Sequence, residues 1–221
     1  DRPVEKVSWD DVQIFLTRLN AQQAANLPAG WSYVLPTESQ WEYACRAGTT
    51  TAYSWGATIA SSNANYNWDG EWNTGSDFKQ TRDVGQYAAN PWGFFDMHGN
   101  VWEWTADWYA AYPTGNPVVD PTGPASGSDR VGRGGSWGGG GSTLRSAWRG
   151  SHAPSHRDPD LGFRVAYKQI PNATPVITSN GGNPTASLSI LENQVFAADV
   201  NATDADGDAT VSYLISGGAD A

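Results

Sequence analysis

Residues 96–104 read Asp-Met-His-Gly-Asn-Val-Trp-Glu-Trp and combine two carboxylates, a glycine turn and two tryptophans. Trp102 and Trp104 flank Glu103, so an extended backbone points both tryptophans to one side and the glutamate to the other. Asp96 and Glu103 are costly to bury alone, and a hard cation such as Ca²⁺ would be satisfied by these carboxylates together with backbone carbonyls at the turn. The alternative is a polar loop with solvated acids, and both interpretations remain open on this stretch alone.

The composition limits the classes of function. The 221 residues carry 13 basic and 23 acidic side chains, a formal charge of −10, which argues against a nucleic-acid backbone as partner. The single cysteine, Cys45, excludes an internal disulfide framework. No apolar run approaches the length of a membrane span, so no membrane insertion is expected in this segment. With 12 tryptophans and 25 glycines, we expect a loop-rich domain whose core is built on aromatic side chains.

Two helices are predicted in the first 50 residues. Ser8 and Asp11 form a capping-box pattern before apolar residues at helical spacing, and this helix is expected to end near Ala25. A short strand is expected over 31–35. Thr37 as N-cap and Gln40 predict a second helix that stops at Gly48. Cys45 falls on its buried face and is interpreted as core rather than as a nucleophile.

The second half of the chain predicts strands separated by loops. Strands are expected over 130–137, 145–149 and 161–167, with four consecutive glycines at 138–141. The loop over 150–160 contains His152, His156, Asp158 and Asp160, which could form a zinc site. An ordinary polar loop without a metal is the preferred interpretation, because the spacing of two histidines fixes ligand geometry only on a helix.

Four motifs resemble one known family. They are Leu-Pro-Thr-Glu-x-x-Trp-Glu-Tyr-Ala at 35–44, Gly-Asn-Val-Trp-Glu-Trp at 99–104, Arg-Gly-Gly-Ser-Trp at 133–137 and Leu-Gly-Phe-Arg at 161–164. In this order they resemble the formylglycine-generating enzyme, or sulfatase-modifying factor, family over residues 3–167. The resemblance implies an α+β fold related to C-type lectins, irregular, low in regular secondary structure and stabilised by Ca²⁺. The family's usual N-terminal hairpin is not found, so we expect a fragment of a longer protein.

The resemblance implies metal ligands in two places. One calcium site would use the carboxylates of Asp96 and Glu103 and the carbonyls of Gly99 and Val101, in agreement with the interpretation of residues 96–104. A second would use the Asn65 side chain, the Tyr66 carbonyl and Asp77, with a further carbonyl at Phe78 or Lys79.

The catalytic centre of the resembled family is not matched. Formylglycine-generating members use two cysteines shortly after Gly-Gly-Ser to bind copper, since Cu(I) prefers soft thiolate ligands. The corresponding residues here, 138–144, contain no thiol, and Cys45 lies in another motif. No copper and no catalytic residue are therefore expected.

The C-terminal residues resemble a second family, the cadherin-like repeats of bacterial surface proteins. The matching pieces are Leu-Glu-Asn at 191–193, Ala-Thr-Asp-Ala-Asp-Gly-Asp at 202–208 and Tyr-Leu-Ile-Ser-Gly-Gly at 213–218. The resemblance implies Ca²⁺ ligands at Glu192, Asp204 and Asp206 and an extracellular or cell-surface location. We expect a main domain over 1–168, a linker over 169–184 and an incomplete all-β sandwich over 185–221.

Three functions are compatible with this sequence. The first is a non-catalytic, calcium-stabilised extracellular module that binds a protein or carbohydrate through the loops of 138–160. The second is a formylglycine-generating or related enzyme. The third is a variable ligand-binding protein of a diversity-generating retroelement, because Gly, Ser, His and Asp codons arise from Asn codons by changes of adenine. The expected ligand-binding residues are Ser136, Trp137, Gly139, Arg145, Trp148, Arg149, His152, His156 and Asp158.

One alternative concerns the arginines of this surface. Arg145, Arg149 and Arg164 would then pair internally with buried acids and take no part in binding. For these three residues the sequence favours internal pairing over ligand contact.

Overall fold

The computed structural model describes residues 1–67, 79–112 and 118–169, together with two short strands further on. It divides into two units, one formed by Asp1–Ala24 with Tyr33–Tyr167 and the other by Ala25–Ser32 with Lys168–Ala221. The elements, in chain order, are α1 (Trp9–Gln23), β1 (Trp31–Val34), α2 (Glu38–Arg46), β2 (Trp102–Trp108), β3 (Arg130–Arg133), a 3₁₀ turn (Gly141–Leu144), β4 (Arg149–His152), β5 (Leu161–Phe163), β6 (Ala166–Gln169), β7 (Val176–Ile177) and β8 (Ala202–Thr203).

Both helices begin with the capping boxes that the sequence predicts. Ser8 accepts a hydrogen bond from the backbone N–H of Asp11, whose carboxylate accepts one from the N–H of Ser8. Thr37 and Gln40 make the same reciprocal pair at the start of α2. After α2, Ala47 (φ 46°) and Gly48 (φ 86°) adopt the left-handed conformation. The helix therefore ends just before Gly48, the residue predicted to terminate it. Neither helix in the described residues is long and apolar enough to cross a membrane.

The central sheet has four strands in the order β4-β3-β2-β5. β2 lies antiparallel to β3, with Trp104 opposite Gly132, and parallel to β5, with Glu103 opposite Gly162. β3 lies antiparallel to β4. β1 and β6 pair as a separate two-stranded sheet, and so do β7 and β8. The fold is therefore mixed α and β with short elements, as expected.

The core lies between α1 and β2. Trp104 and Leu161 are fully buried, and Val12, Leu16 and Leu35 pack against them. A second cluster holds Trp41, Cys45 and Met97 on the inner face of α2, so the interpretation of Cys45 as a core residue is confirmed. Tryptophan supplies much of this apolar burial while its indole N–H finds a partner, as Trp104 does with the carbonyl of Val7 at 3.0 Å.

Three predicted strands differ from the structure. The strand expected over 161–167 is divided into β5 and β6, which belong to different sheets. The strand expected over 130–137 ends at Arg133, because Gly134 and Gly135 adopt positive φ (93° and 70°) and turn the chain. The strand expected over 145–149 is wrong, since the chain leaves the 3₁₀ turn at Leu144 and begins β4 only at Arg149. Trp148 is 39% exposed, whereas Leu161 at the start of β5 is fully buried. The all-β sandwich expected over 185–221 lies outside the described residues, apart from β8 (Ala202–Thr203), and stays a prediction.

Candidate functional site

The segment 96–104 brings its two carboxylates to the entry of β2. Asp96 has positive φ (54°), and its Oδ2 accepts a hydrogen bond from the N–H of Gly85 at 2.7 Å. Burial raises the pKa of Asp96 above its ordinary value. Glu103 is buried in β2, and its carboxylate accepts the indole N–H of Trp41 at 2.6 Å and two hydrogen bonds from Arg164. Both acids therefore lie in a protein environment rather than in a solvated loop.

Glycine is required at position 99 for this arrangement. Gly99 has φ +88°, and a Cβ there would lie 2.4 Å from the carbonyl oxygen of Asn65 and 2.9 Å from Leu144. The next residue, Asn100, donates its N–H to the same Asn65 carbonyl at 2.9 Å. The close approach fixes the turn against the loop that carries Asn65.

The residues of the first predicted calcium site have oxygen atoms that remain able to bind a cation. Asp96, Gly99, Val101 and Glu103 line one groove together with Arg164. Among the turn and loop hydrogen bonds of the described residues, no backbone N–H donates to the carbonyl of Gly99 or Val101. Each oxygen of Glu103 has two lone pairs, and Oε1 is engaged only by Arg164, so one position remains for a cation. These donors are all hard oxygens, as Ca²⁺ requires, and the set fits that ion.

The fit has a limit that follows from charge. Among the described residues, no group of three or more His, Cys, Asp or Glu side chains could hold a metal ion. The set above has only two carboxylates, and Arg164 offsets one of their charges. Since affinity for Ca²⁺ rises with the charge of the ligands, these residues favour a weak site.

The other predicted metal ligands are placed only in part. The Nδ2 group of Asn65 donates to the carbonyl of Gln80 and to Oδ1 of Asn100, and Tyr66 is buried beside it. Asp77 and Phe78 lie outside the described residues, as do Glu192, Asp204 and Asp206. The second calcium site of the main domain and the sites of the C-terminal segment therefore stay predictions.

The glycine-rich segment that follows β3 is anchored from both sides. Ser136 is fully buried and donates its hydroxyl to Asp160, while Trp137 donates its N–H to the carbonyl of Asn100 at 3.0 Å. Burial raises the pKa of Asp160 to about 6, with a further contribution from Asp158. Gly139 accepts the N–H of Asn67 at 3.0 Å. Ser136 and Gly139 thus hold backbone in place as well as lying in the expected binding region.

The only thiol of the chain lies elsewhere. Cys45 is 0% exposed on α2, and its sulfur lies 3.5 Å from Nε2 of His98. Burial raises the pKa of the Cys45 thiol to about 12, so the thiolate does not form near neutral pH. The imidazole of His98 contacts the carbonyl of Leu144 at 2.7 Å and Ser54 at 3.2 Å, and burial lowers its pKa to about 4. This cluster packs the interior and gives no accessible nucleophile.

The arginines of the expected binding surface separate into two groups. Arg149 makes a bidentate pair with Glu38 at 2.5 and 2.6 Å and lies over the rings of Tyr109 and Tyr112. Arg164 pairs with Glu103. The alternative of internal pairing is therefore realised for these two residues. Arg145 is exposed and pairs with no acid of the described residues.

The two histidines of the 150–160 loop do not converge on a common point. The rings of His152 and His156 stack almost in parallel, with centroids 5.2 Å apart and an interplanar angle of 7°. His152 packs edge-on against Trp102 and Trp104, while exposed His156 lies 3.7 Å from the carboxylate of half-buried Asp158. Parallel stacking does not aim two ring nitrogens at one metal, so the zinc alternative gains nothing from this geometry.

Sequence reasoning did not single out two aromatic residues beside the glycine-rich segment. Tyr53 donates its hydroxyl to the carbonyl of Gly141 at 2.8 Å, and its ring stacks on that of Trp55 at 5.3 Å. Trp55 is 38% exposed. The long aperiodic loop that contains them gave no signal of burial, because Tyr53 contacts Gly141, 88 positions later, and Trp55 packs against the distant ring of His98.

A cavity of about 330 Å³ lies at the start of α2, and the sequence did not indicate it either. Its walls include Glu38, Tyr43, Tyr112 and Arg149. Glu38 and Glu42 in these walls pair with Arg149 and Arg46, and Asp107 accepts the backbone N–H of Glu38.

Comparison with known proteins places this site in context. A family model described as the sulfatase-modifying factor enzyme 1-like domain matches residues 1–169. The formylglycine-generating enzyme of Bos taurus is 35% identical over 181 residues, covering 77% of this chain and 45% of that protein. The chain thus spans about half the length of the curated relatives it matches.

Two solved structures are similar to the fold. Treponema denticola variable protein 1 superposes with a TM-score of 0.64 at 30% identity, covering 76% of this chain and 71% of that one. PvdO from Pseudomonas aeruginosa gives a TM-score of 0.64 at 27% identity, covering 76% and 62%.

Proposed function

The chain belongs to the family of the sulfatase-modifying factor enzyme 1-like domain, and from this premise we propose that it is a non-catalytic, calcium-stabilised extracellular ligand-binding module. Its ligand surface is formed by the exposed residues between 138 and 160. The partner is a protein or a carbohydrate.

The chemistry of residues 138–144 carries this proposal. The segment contains no thiol, and Leu144 at its end is fully buried. Cys45 lies outside this segment, buried against Met97 and His98, and burial raises the pKa of its thiol to about 12, so it keeps its proton near neutral pH. A copper centre that activates oxygen needs soft ligands at the substrate, and this chain offers none there.

The shape of the same region supports binding. Arg145, Ala147, Trp148 and His156 are exposed on a backbone that buried Leu144 and Ser146 hold in place. Aromatic and arginine side chains on a rigid backbone are the usual anchors of recognition surfaces. The likeness to the Treponema variable protein, a protein of the same fold, supports a binding role for this frame.

Calcium and location are parts of the same proposal. The oxygen donors of Asp96, Gly99, Val101 and Glu103 support a Ca²⁺ ion at the entry of β2. The resemblance of the C-terminal residues to cadherin-like repeats supports an extracellular location, where Ca²⁺ is abundant.

A peptide assay tests the absence of catalysis. The protein is incubated with copper, oxygen and a peptide that carries the sulfatase Cys-x-Pro-x-Arg motif, and the cysteine is followed by mass spectrometry. A formylglycine-generating enzyme serves as the positive control. We expect the peptide to keep its thiol with this chain and to lose it with the control. Conversion by this chain would overturn the non-catalytic proposal in favour of the enzyme.

A second candidate function is that of a retroelement-diversified protein. The structural likeness to Treponema denticola variable protein 1 favours it. Sequencing the gene from many isolates tests it: changes concentrated in codons 138–160 and derived from adenines in a template copy support it. Substitutions spread evenly along the gene would reject it and leave the invariant binding module.

A further inference from the structure

Four of the six arginines between residues 130 and 164 form ion pairs within the protein. Arg133, Arg149, Arg157 and Arg164 form ion pairs with Glu42, Glu38, Asp11 and Glu103. Arg130 lies between the rings of Trp9 and Trp108, 3.7 and 3.5 Å from their centroids. Arg145 differs from the four ion-paired arginines, and unlike Arg130 it is exposed. Its Nε donates to the carbonyl of Ser142 at 3.0 Å, and no carboxylate of the described residues pairs with its guanidinium.

The backbone holds Arg145 in an outward position. It follows the 3₁₀ turn directly, and its neighbours Leu144 and Ser146 are both 0% exposed. The N–H of Ser146 donates to the carbonyl of Ala52 at 2.8 Å. The backbone that carries this exposed side chain is therefore fixed, so less backbone entropy is lost when the side chain binds a partner.

One partly exposed aromatic ring lies beside this cation, and a second is reached through Tyr53. The guanidinium carbon of Arg145 lies 5.4 Å from the ring centroid of Trp148, which is 39% exposed. On the adjoining loop, Tyr53 lies close enough for the charge of Arg145 to act on its phenol. Tyr53 stacks in parallel on Trp55, which is 38% exposed. An exposed cation that pairs with no carboxylate of the described residues thus lies beside partly exposed Trp148, and a second partly exposed tryptophan, Trp55, stacks on the tyrosine that its charge reaches.

The chemistry of these groups selects the ligand. A guanidinium binds a planar carboxylate through two parallel hydrogen bonds. Indole rings offer flat apolar faces that a sugar ring can cover while its polar groups stay in water. The net charge of −10 disfavours long polyanions, so a ligand with one carboxylate is favoured over a sulfated or phosphorylated polymer.

We propose that Arg145, Trp148 and Trp55 form a subsite for a carboxylate-bearing sugar, such as a uronic acid at the end of an oligosaccharide. This inference rests on the proposed function and gives a ligand class to its binding surface. Arg145 holds the carboxylate, and the tryptophans contact the sugar ring.

Calorimetric titration of the whole chain with three probes tests the subsite. The probes are a glucuronate-terminated trisaccharide, the same trisaccharide ending in glucose, and a short glutamate peptide. We expect the glucuronate probe to bind about tenfold more tightly than the glucose probe, as one charge-assisted contact allows. Arg145→Gln should remove this preference, and Arg145→Lys should keep only part of it because lysine lacks the bidentate fork. Arg18→Gln, an exposed arginine on α1, is the matched control and should bind as the unaltered protein does.

Any other result contradicts a specific part of the proposed subsite. Equal binding of the two trisaccharides, or an unchanged preference in Arg145→Gln, overturns the role of Arg145. Binding of the glutamate peptide alone overturns the sugar in favour of an acidic peptide, and no binding of any probe overturns the subsite. Thermal melting checks that the variants fold. Failure of the non-catalytic proposal is separate, because it appears only as conversion of the sulfatase peptide.

Discussion

The guanidinium of Arg164 lies against the carboxylate of Glu103, with Nε 2.6 Å from Oε2 and Nη2 2.6 Å from Oε1. Oε2 also accepts the indole N–H of Trp41, so it has no lone pair left. Glu103 can therefore offer a cation only Oε1. This pair both prepares the proposed calcium site and limits its strength, since it places a positive charge beside the ion.

The first prediction concerns the affinity for Ca²⁺. We expect a dissociation constant of about 10⁻⁴ to 10⁻³ M, as in extracellular modules with few charged ligands. At about 10 mM Ca²⁺ the free energy of unfolding should then rise by roughly 1.5 to 3 kcal/mol. Asp96→Asn should abolish most of this gain while its amide oxygen still accepts the N–H of Gly85.

Calorimetry and thermal melting with and without Ca²⁺ provide the measurement. Asp120→Asn, at an exposed position, is the control and should respond to Ca²⁺ as the unaltered chain does. Glu103→Ala is a poor probe, because it also strands Arg164 and Trp41. An undiminished response in Asp96→Asn would rule out the assignment of this ligand.

Arg164→Gln is the second prediction and should act in opposite directions on two quantities. Without Ca²⁺ the protein should lose about 3 kcal/mol of stability, because a buried carboxylate loses its partner. With the competing charge gone, the affinity for Ca²⁺ should increase, and the ion should restore part of the lost stability. Urea unfolding in EDTA and in Ca²⁺ measures both. A variant that is destabilised equally in the two buffers would show that Arg164 does not influence a cation.

The third prediction uses two glycines of opposite character. Gly99 has φ +88° and a virtual Cβ 2.4 Å from the Asn65 carbonyl, whereas Gly140 has φ −71° and no atom within 4 Å of its virtual Cβ. Gly99→Ala should cost at least about 2 kcal/mol of stability through strain and overpacking. Gly140→Ala should be neutral or stabilising by up to about 1 kcal/mol, because alanine restricts the unfolded chain. Chemical denaturation of the pair measures the contrast, and similar costs would contradict the close approach at Gly99.

Local patterns predicted part of this molecule well. The capping boxes of Ser8 and Thr37 and the burial of Cys45 follow from residues within one helix turn or one helix face. Strand ends could not be predicted in the same way. β3 stops where Gly134 turns the chain against Trp41, and the virtual Cβ of Gly134 lies 3.2 Å from that ring, a contact between residues 93 positions apart.

The candidate site shows the same division. The two acids of 96–104 could be read from the sequence, but their pairing with Arg164 and Trp41 depends on how α2 and β5 meet β2. The expectation that 138–160 is surface alone is corrected, since Leu144 and Ser146 are fully buried. His152 likewise packs on Trp102 and Trp104, so its replacement by alanine affects packing and His156 is the better surface probe.

The last prediction concerns pH and Asp160. Its folded-state pKa is raised from 3.8 to about 6, mainly by burial. A group of this kind contributes stability that is fully present below pH 3.8 and is lost as the pH rises through 6, because the native state binds the extra proton. Asp160→Asn cannot ionise but keeps an oxygen that accepts the hydroxyl proton of Ser136. The variant should therefore gain stability relative to the unaltered chain between pH 4 and 6, by about 1 to 2 kcal/mol once solvent screening is allowed for, and hold this advantage above pH 6. Urea unfolding of both proteins in EDTA at several pH values measures the difference. Asp120→Asn should show no such trend, and a constant difference between Asp160→Asn and the unaltered chain would mean that Asp160 ionises as an ordinary surface carboxylate.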